Sequence, residues 1–265
     1  MKKLLIIAVL ILYGAVSAFA QGELDEQQKV FFRNERSYAI LLNSDGFGLS
    51  YREAKRKDYL NKRLLEIDAG TLKHPKEYKI SNPYYQGYKS YVFGKMNSVF
   101  FLRAGIGHQH EIFQKADRGG IAIRWFYSAG PVLALYKPIF YLILYPISLE
   151  DAEIKEEKFD VSIHQTSDIL SRSSFTKGLD EIKVIPGLYG KAGFNFEYSK
   201  EDKVIHAVEL GAQVNAFPKT IPIMACQDNK AIFFSLFVSY RFGVIVDPLH
   251  PEDTRFSNLF KRKKE

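Results

Sequence analysis

Cysteine is all but missing from this chain: among 265 residues the only one is Cys226. An intramolecular disulfide is therefore excluded, and the fold must be held by hydrogen bonding and packing alone. No histidine lies near Cys226 in sequence to lower its pKa, so it reads as a small structural residue rather than a reactive thiol. Beyond residue 21 there is no uninterrupted apolar run of the roughly 20 residues that a membrane-crossing helix requires. One-sided charge is missing as well. The formal net charge of +7 falls to +5 when Lys2 and Lys3 are set aside (7 − 2 = 5), and its densest cluster is the terminal Lys261-Arg262-Lys263-Lys264. So mild an excess, with no recognisable nucleic-acid module beside it, does not indicate a nucleic-acid partner.

What is present begins with an export pattern. Lys2 and Lys3 form a positive start, Leu4 to Tyr13 an apolar run too short to span, and Ala18-Phe19-Ala20 a small-x-small cleavage site before Gln21. Residues 1–20 are expected to be a signal peptide, removed on export.

The rest of the chain alternates at period two, the signature of strands with one apolar and one polar face. Ile232, Phe234, Leu236, Val238, Tyr240 and Phe242 share one face, against Ser235, Ser239 and Arg241. Phe100, Leu102, Ala104 and Ile106 oppose Arg103, Gly105, Gly107, Gln109 and Glu111 in the same way. The pattern recurs with Leu210 and Val214 against Glu209 and Gln213, with Phe194 and Tyr198 against Lys191 and Glu197, and with Leu65 and Ile67 against Glu66 and Asp68. It appears once more with Leu49 and Tyr51 against Ser50 and Arg52. Strands are predicted at 36–43, 46–54, 62–73, 98–113, 119–146, 182–199, 204–219 and 230–243. Eight is an even number, as a transmembrane barrel demands. The connections at 54–61, 114–118 and 200–203 are short, and those at 73–97 and 147–181 are long, as between the periplasmic and external ends of such a barrel. The exception is the tight Asn43-Ser44-Asp45-Gly46 turn, whose Asp-Gly step suits a hairpin.

The predicted fold is thus all-β, a closed antiparallel transmembrane β-barrel of about eight strands with one long external loop. In that loop, Thr166 to Leu179 is expected to form a short helix behind a Ser/Asp cap. The chain divides into signal peptide (1–20), periplasmic N-terminal segment (21–35), barrel (36–243) and periplasmic basic tail (244–265). Aromatic residues on the apolar face, Trp125, Tyr127, Phe194, Phe196, Tyr198, Tyr240 and Phe242, gather at the predicted inner rim as a headgroup girdle. A soluble aromatic-rich sandwich would alternate too, and it is the export signal and the loop asymmetry that favour the barrel.

Glu35-Arg36-Ser37-Tyr38, Lys73-His74-Pro75-Lys76-Glu77, Ala116-Asp117-Arg118-Gly119-Gly120 and the final Tyr240-Arg241-Phe242 together give the chain a familiar look. It resembles the eight-stranded outer-membrane barrel superfamily that includes the outer-membrane protein A transmembrane domain, and within it the barrel proteins common in Bacteroidetes. The resemblance implies a Gram-negative outer-membrane location and no particular activity. Many such barrels end at their last aromatic residue, whereas this chain continues from Gly243 to Glu265.

On the polar face, Arg52, Arg103, Arg124, Lys191 and Arg241 match Glu66, Asp68, Glu111, Glu197 and Glu209 in number. A balanced set predicts a lumen closed by charge pairs, since an eight-stranded barrel is just filled by its side chains. His108-Gln109-His110 puts two imidazoles on one face, but without the further ligands that zinc needs they read as interfacial residues, as does His206. His74 and His164, with Asp151, Asp160, Asp168 and Asp180, fall in outer loops with no spacing that forms a triad. No catalytic residue, metal set or cofactor is assigned.

The run from Tyr136 to Pro146 is apolar on both faces and prolongs a strand already long enough to cross the bilayer, at about 3.3 Å per residue. Tyr136, Phe140, Tyr141, Leu142, Ile143 and Leu144 must be covered, by the following loop or by another outer-membrane protein through β-augmentation. The expected role is a binding, scaffold or accessory subunit in contact with outer-membrane lipids. The alternatives are a barrel enzyme acting on lipid or peptide at the outer rim, and a small gated pore.

Overall fold

The computed structural model describes residues 34–85, 87–117, 119–146, 152–199, 204–225 and 227–246. The signal peptide, most of the N-terminal segment, the basic tail from residue 247, Arg118, Asp151 and Cys226 lie outside the described residues.

Thirteen strands are formed in this region: β1 Asn34–Asn43, β2 Gly46–Arg56, β3 Asn61–Leu72, β4 Lys79–Ile80, β5 Tyr91–Val92, β6 Asn97–Phe113, β7 Ala122–Pro138, β8 Phe140–Pro146, β9 Ala152–Lys158, β10 Ile169–Arg172, β11 Lys183–Glu197, β12 Val204–Ala216 and β13 Ile232–Val246. Eight of them close a barrel in the order β1-β13-β12-β11-β7-β6-β3-β2. Every pairing is antiparallel, and the seam between β1 and β13 runs from Asn34 opposite Val246 to Asn43 opposite Phe237. Closure leaves no exposed barrel edge, the condition for a sheet to exist in lipid.

The alternation determines which way each side chain points. Along β13, Leu236 is 61 % exposed and its neighbour Ser235 only 1 %. Ile40, Leu49, Leu65, Ile106, Leu188 and Leu210 likewise point outward, while Arg52, Glu66, Asp68, Lys191 and Glu209 are buried. The barrel is inside out relative to a water-soluble protein. Small residues make room for the larger inward ones: a Cβ at Gly105 would lie 2.0 Å from the Tyr189 hydroxyl oxygen and 2.9 Å from the Ala129 carbonyl oxygen.

The barrel takes in Asn34 and Glu35 at one seam strand and Val244 to Val246 at the other, beyond the bounds the sequence predicted. Short connections (57–60, 114–121, 198–203) occupy one end. The long ones (73–96, 139–182, 217–231) occupy the other and build a cap. The first hairpin turns at Ser44 and Asp45, with Asn43 opposite Gly46, so the turn is one residue earlier than an Asp-Gly hairpin would place it.

Two expectations are corrected here. The strand predicted over 119–146 is two strands. β7 ends at Pro138, and the Ile139 amide makes one last bond in register with β6, to the Met96 carbonyl at 2.9 Å, before the chain leaves the barrel. β8 then becomes the centre of a separate sheet, β10-β8-β9. The helix expected within 166–179 is also absent: its first half forms β10, because Ile169, Leu170 and Ser171 are buried against β8. Pairing with a partner strand overrides the local cap signal.

Candidate functional site

The lumen, the barrel rim and the cap hold the candidate chemistry. Inward positions of β2, β3, β6, β11, β12 and β13 converge on one charged layer. Arg52 lies 2.6 Å from Glu209 and 2.9 Å from Glu66. Arg241 reaches the same two carboxylates at 2.9 and 3.4 Å. Lys191 bridges Glu66 at 2.8 Å and Asp68 at 3.3 Å, and Arg103 stands 4.0 Å from Asp68. Hydroxyls complete the carboxylates: Ser50 and Ser128 donate to Glu66 at 3.1 and 2.9 Å, and Ser239 donates to Glu209 at 3.0 Å. Removing so many charges from water is costly, and the cost is offset only when each finds several partners, as Glu66 and Glu209 do here.

The other sequence-predicted charges, Arg124, Glu111 and Glu197, form a second layer towards the short-turn end. Arg124 lies 2.5 Å from Glu197, 3.5 Å from Glu111 and 3.8 Å from Glu35. Three members of this layer were not singled out in the sequence. Glu35 pairs with Lys62, and Lys115 reaches Glu197 at 2.8 Å. Lys62 carried the signal, since it shares the parity of Glu66 and Asp68. Glu35 was assigned to the preceding segment, and Lys115 belongs to a turn, where parity has no meaning.

Above the charged layers the lumen turns apolar. Phe217, Ile221, Ile223 and Met224, from the β12–β13 connection, pack with Leu72, Val99, Phe101, Val132, Tyr189 and Phe233 to form a plug. Backbone bonds hold it: the Met96 amide donates to the Ile223 carbonyl at 2.9 Å and the Ala225 amide to the Gly94 carbonyl at 2.7 Å. The Asn97 side chain donates to the Pro222 carbonyl at 2.6 Å. Ile221-Pro222-Ile223-Met224 is an apolar stretch inside a connection, which is the feature that would have revealed it.

On the outer face, the short-turn end carries an aromatic belt. Trp125 and Tyr127 have centroids 5.5 Å apart, with His108 5.9 Å from Tyr127. Around the seam, Tyr198, His206, Tyr240, Phe242, Tyr38 and Tyr51 follow one another at 5.1 to 6.3 Å. The strand histidines stack in this belt, and His206 is hydrogen-bonded to the Tyr240 hydroxyl at 2.9 Å.

In the cap, the residues read as an uncovered apolar extension are largely covered by this chain. Tyr141 and Ile143 are buried with Tyr91, Ile139, Phe159 and Ile169, while Tyr136, Phe140, Leu142 and Leu144 are half-buried. Both edges of β8 are taken, by β9 and β10, so strand addition at β8 is closed off. The Tyr141 hydroxyl lies 2.8 and 2.7 Å from the Val92 and Lys95 carbonyl oxygens, and burial pushes its pKa up. Burial also lowers the pKa of Lys95, against the opposing pull of its partner Glu77.

His164 accepts the Asp160 amide at Nδ1 (3.0 Å), and its Nε2 stands 3.3 Å from the Tyr145 hydroxyl and 3.8 Å from Glu157. His74 accepts the Lys76 amide and contacts the Asp228 carbonyl. Each imidazole ties loop backbone together, and among the described residues neither is bonded to a serine or threonine hydroxyl. Among those residues, no three His, Cys, Asp or Glu side chains gather as a metal-binding group.

No family model matches the chain, and no curated protein matches it. Among solved structures the chain is similar to Ail, the attachment invasion locus protein of Yersinia pestis, at 8 % identity and TM-score 0.35, over 81 % of this chain and 97 % of that one. It is similar to Neisserial surface protein A at 12 % identity and TM-score 0.34, over 80 % and 96 %. The N-terminal β-barrel domain of Pseudomonas aeruginosa OprF is similar at 8 % identity and TM-score 0.33, again over 80 % and 96 %.

Proposed function

We propose that this protein is an outer-membrane barrel with a sealed lumen that serves as a binding or scaffold component, presenting its cap to the outside. The observation that carries this reading is the inverted barrel: an apolar outer face and an aromatic belt around a lumen filled by two charged layers and an apolar plug. Such an object has lipids as its first partner. Its kinship with Bacteroidetes barrels, drawn from sequence resemblance, belongs to the same reading. A barrel whose lumen is filled and whose cap histidines are engaged in holding loops has its outer cap surface left for recognition. Docking through Tyr136 and Phe140 to Leu144 is the least favoured route, because β8 has no open edge.

The test is cellular. In a Gram-negative host the protein is expected in the outer-membrane fraction as a band whose gel mobility shifts on heating. Protease added to intact cells should cut within 73–96 or 139–182 and spare 114–121. Cleavage confined to the short turns would reverse the orientation, and recovery in the soluble periplasm would overturn the reading.

A further inference from the structure

The connection from β3 to β6 holds a surface that neither the lumen nor the plug explains. Tyr78 and Tyr84 are 72 % and 75 % exposed, and Tyr85 and Tyr88 in the same connection are exposed too. Aromatic rings are costly to leave in water, and four exposed within one connection call for a ligand.

The loop is held at Asn82. Asn82 is buried, and its side-chain amide donates at 2.9 Å to the carbonyls of both Ser167 and Ile169, pinning the loop to β10. Its side-chain oxygen accepts the amides of Tyr84 and Tyr85 at 2.8 and 3.2 Å, which sets the turn that throws both rings outward. Behind them, β4 pairs with β5, and the buried Tyr91 donates to the Thr166 carbonyl at 2.9 Å. Part of the ordering cost around Tyr84 and Tyr85 is therefore met in the free protein, as in a pre-organised binding loop.

The chemistry of the patch selects its ligand. From Tyr78 to Tyr91 there is no acidic residue, while Lys79 and Lys89 are exposed. Neither lysine has an ion-pair partner among the described residues, and the preceding acid, Glu77, is engaged by Lys95. Between Tyr78 and Tyr91, Ile80 is the single large aliphatic side chain and is half-buried, so the surface lacks the dry apolar centre of a protein interface. A sugar ring matches it better. Its C–H face stacks on a tyrosine ring, its hydroxyls meet the phenol and serine oxygens, and an acidic substituent meets the free ammonium groups.

We propose that the Tyr78–Tyr88 surface binds an acidic polysaccharide outside the cell. This rests on the outer-membrane reading, which places the cap in the medium. Nucleic acid would also satisfy rings and lysines, but an exported surface loop meets polysaccharide first.

The full chain refolded in lipid nanodiscs supplies the test, with barrel closure followed separately by the heat-dependent mobility shift. Dextran sulfate and polygalacturonate should bind, more weakly as salt rises, with neutral dextran of equal length at least about tenfold weaker. The double variant Tyr84→Ala/Tyr85→Ala should lose about tenfold in affinity with the barrel still closed. Lys79→Ala/Lys89→Ala should flatten the salt dependence, and Asn82→Ala, which keeps all four tyrosines but loses the bonds that orient Tyr84 and Tyr85, should weaken binding. Equal binding of neutral dextran, undiminished binding by the tyrosine variant, or preference for oligothymidylate over both acidic polymers would overturn the proposal. Failure of the wild-type chain to close in lipid would instead strike the outer-membrane reading, and the proposal with it.

Discussion

Arg52 and Glu209, 157 positions apart in the chain, meet across the lumen at 2.6 Å with both side chains sealed from solvent. Glu209 also holds Arg241 at 2.9 Å, so two guanidinium groups depend on one carboxylate. Replacing Glu209 by leucine should destabilise the barrel by about 3–5 kcal/mol, because both cations lose a buried partner. Urea unfolding in vesicles, read from Trp125, the chain's single tryptophan, measures it. A cost below about 1 kcal/mol would mean that water reaches this layer.

The lipid face makes a different demand. Leu236→Arg or Leu210→Arg should cost about 2–4 kcal/mol if these positions sit near the bilayer midplane. On parity alone, arginine at Ser239 would be mild, since that side chain points away from lipid. The filled lumen reverses this, because Ser239 is buried and donates to Glu209. Ser239→Arg should therefore unfold at lower urea than the wild type, and a neutral result would reveal a hollow lumen.

Electrical recordings test closure directly. Purified protein in planar bilayers should show no sustained conductance, and Ile223→Asp, which weakens the plug, should stay silent because the charged layers beneath it are independent of the cap. Stable openings of the wild type would restore the pore reading.

The cap should fail separately from the barrel. Ile143→Asp places a charge among Tyr91, Phe159 and Ile169 and should make protease cut within residues 139–182 faster than in the wild type, while the heat-dependent mobility shift persists. Loss of the mobility shift in this variant would make the cap part of one cooperative unit with the strands.

The strands were legible because their information is local. In a sheet, parity alone assigns each residue to one face, so Leu236 and Ser235 could be told apart from a few neighbours, and eight such runs with unequal connections defined a barrel. Pro138 was visible too, but a missing amide alone does not end a strand, since Pro131 lies inside β7 and Pro186 inside β11. The contacts that give this barrel its character are not local. Which carboxylate Arg52 meets depends on the stagger between β2 and β12, set by closure around all eight strands. That Ile169 to Arg172 form a strand rather than a helix depends on an open edge of β8, and the plug depends on a connection folding back into the mouth. Period-two patterning specifies faces. Only three-dimensional closure decides which faces meet, because no local preference distinguishes partners that the chain brings together from separate strands and connections.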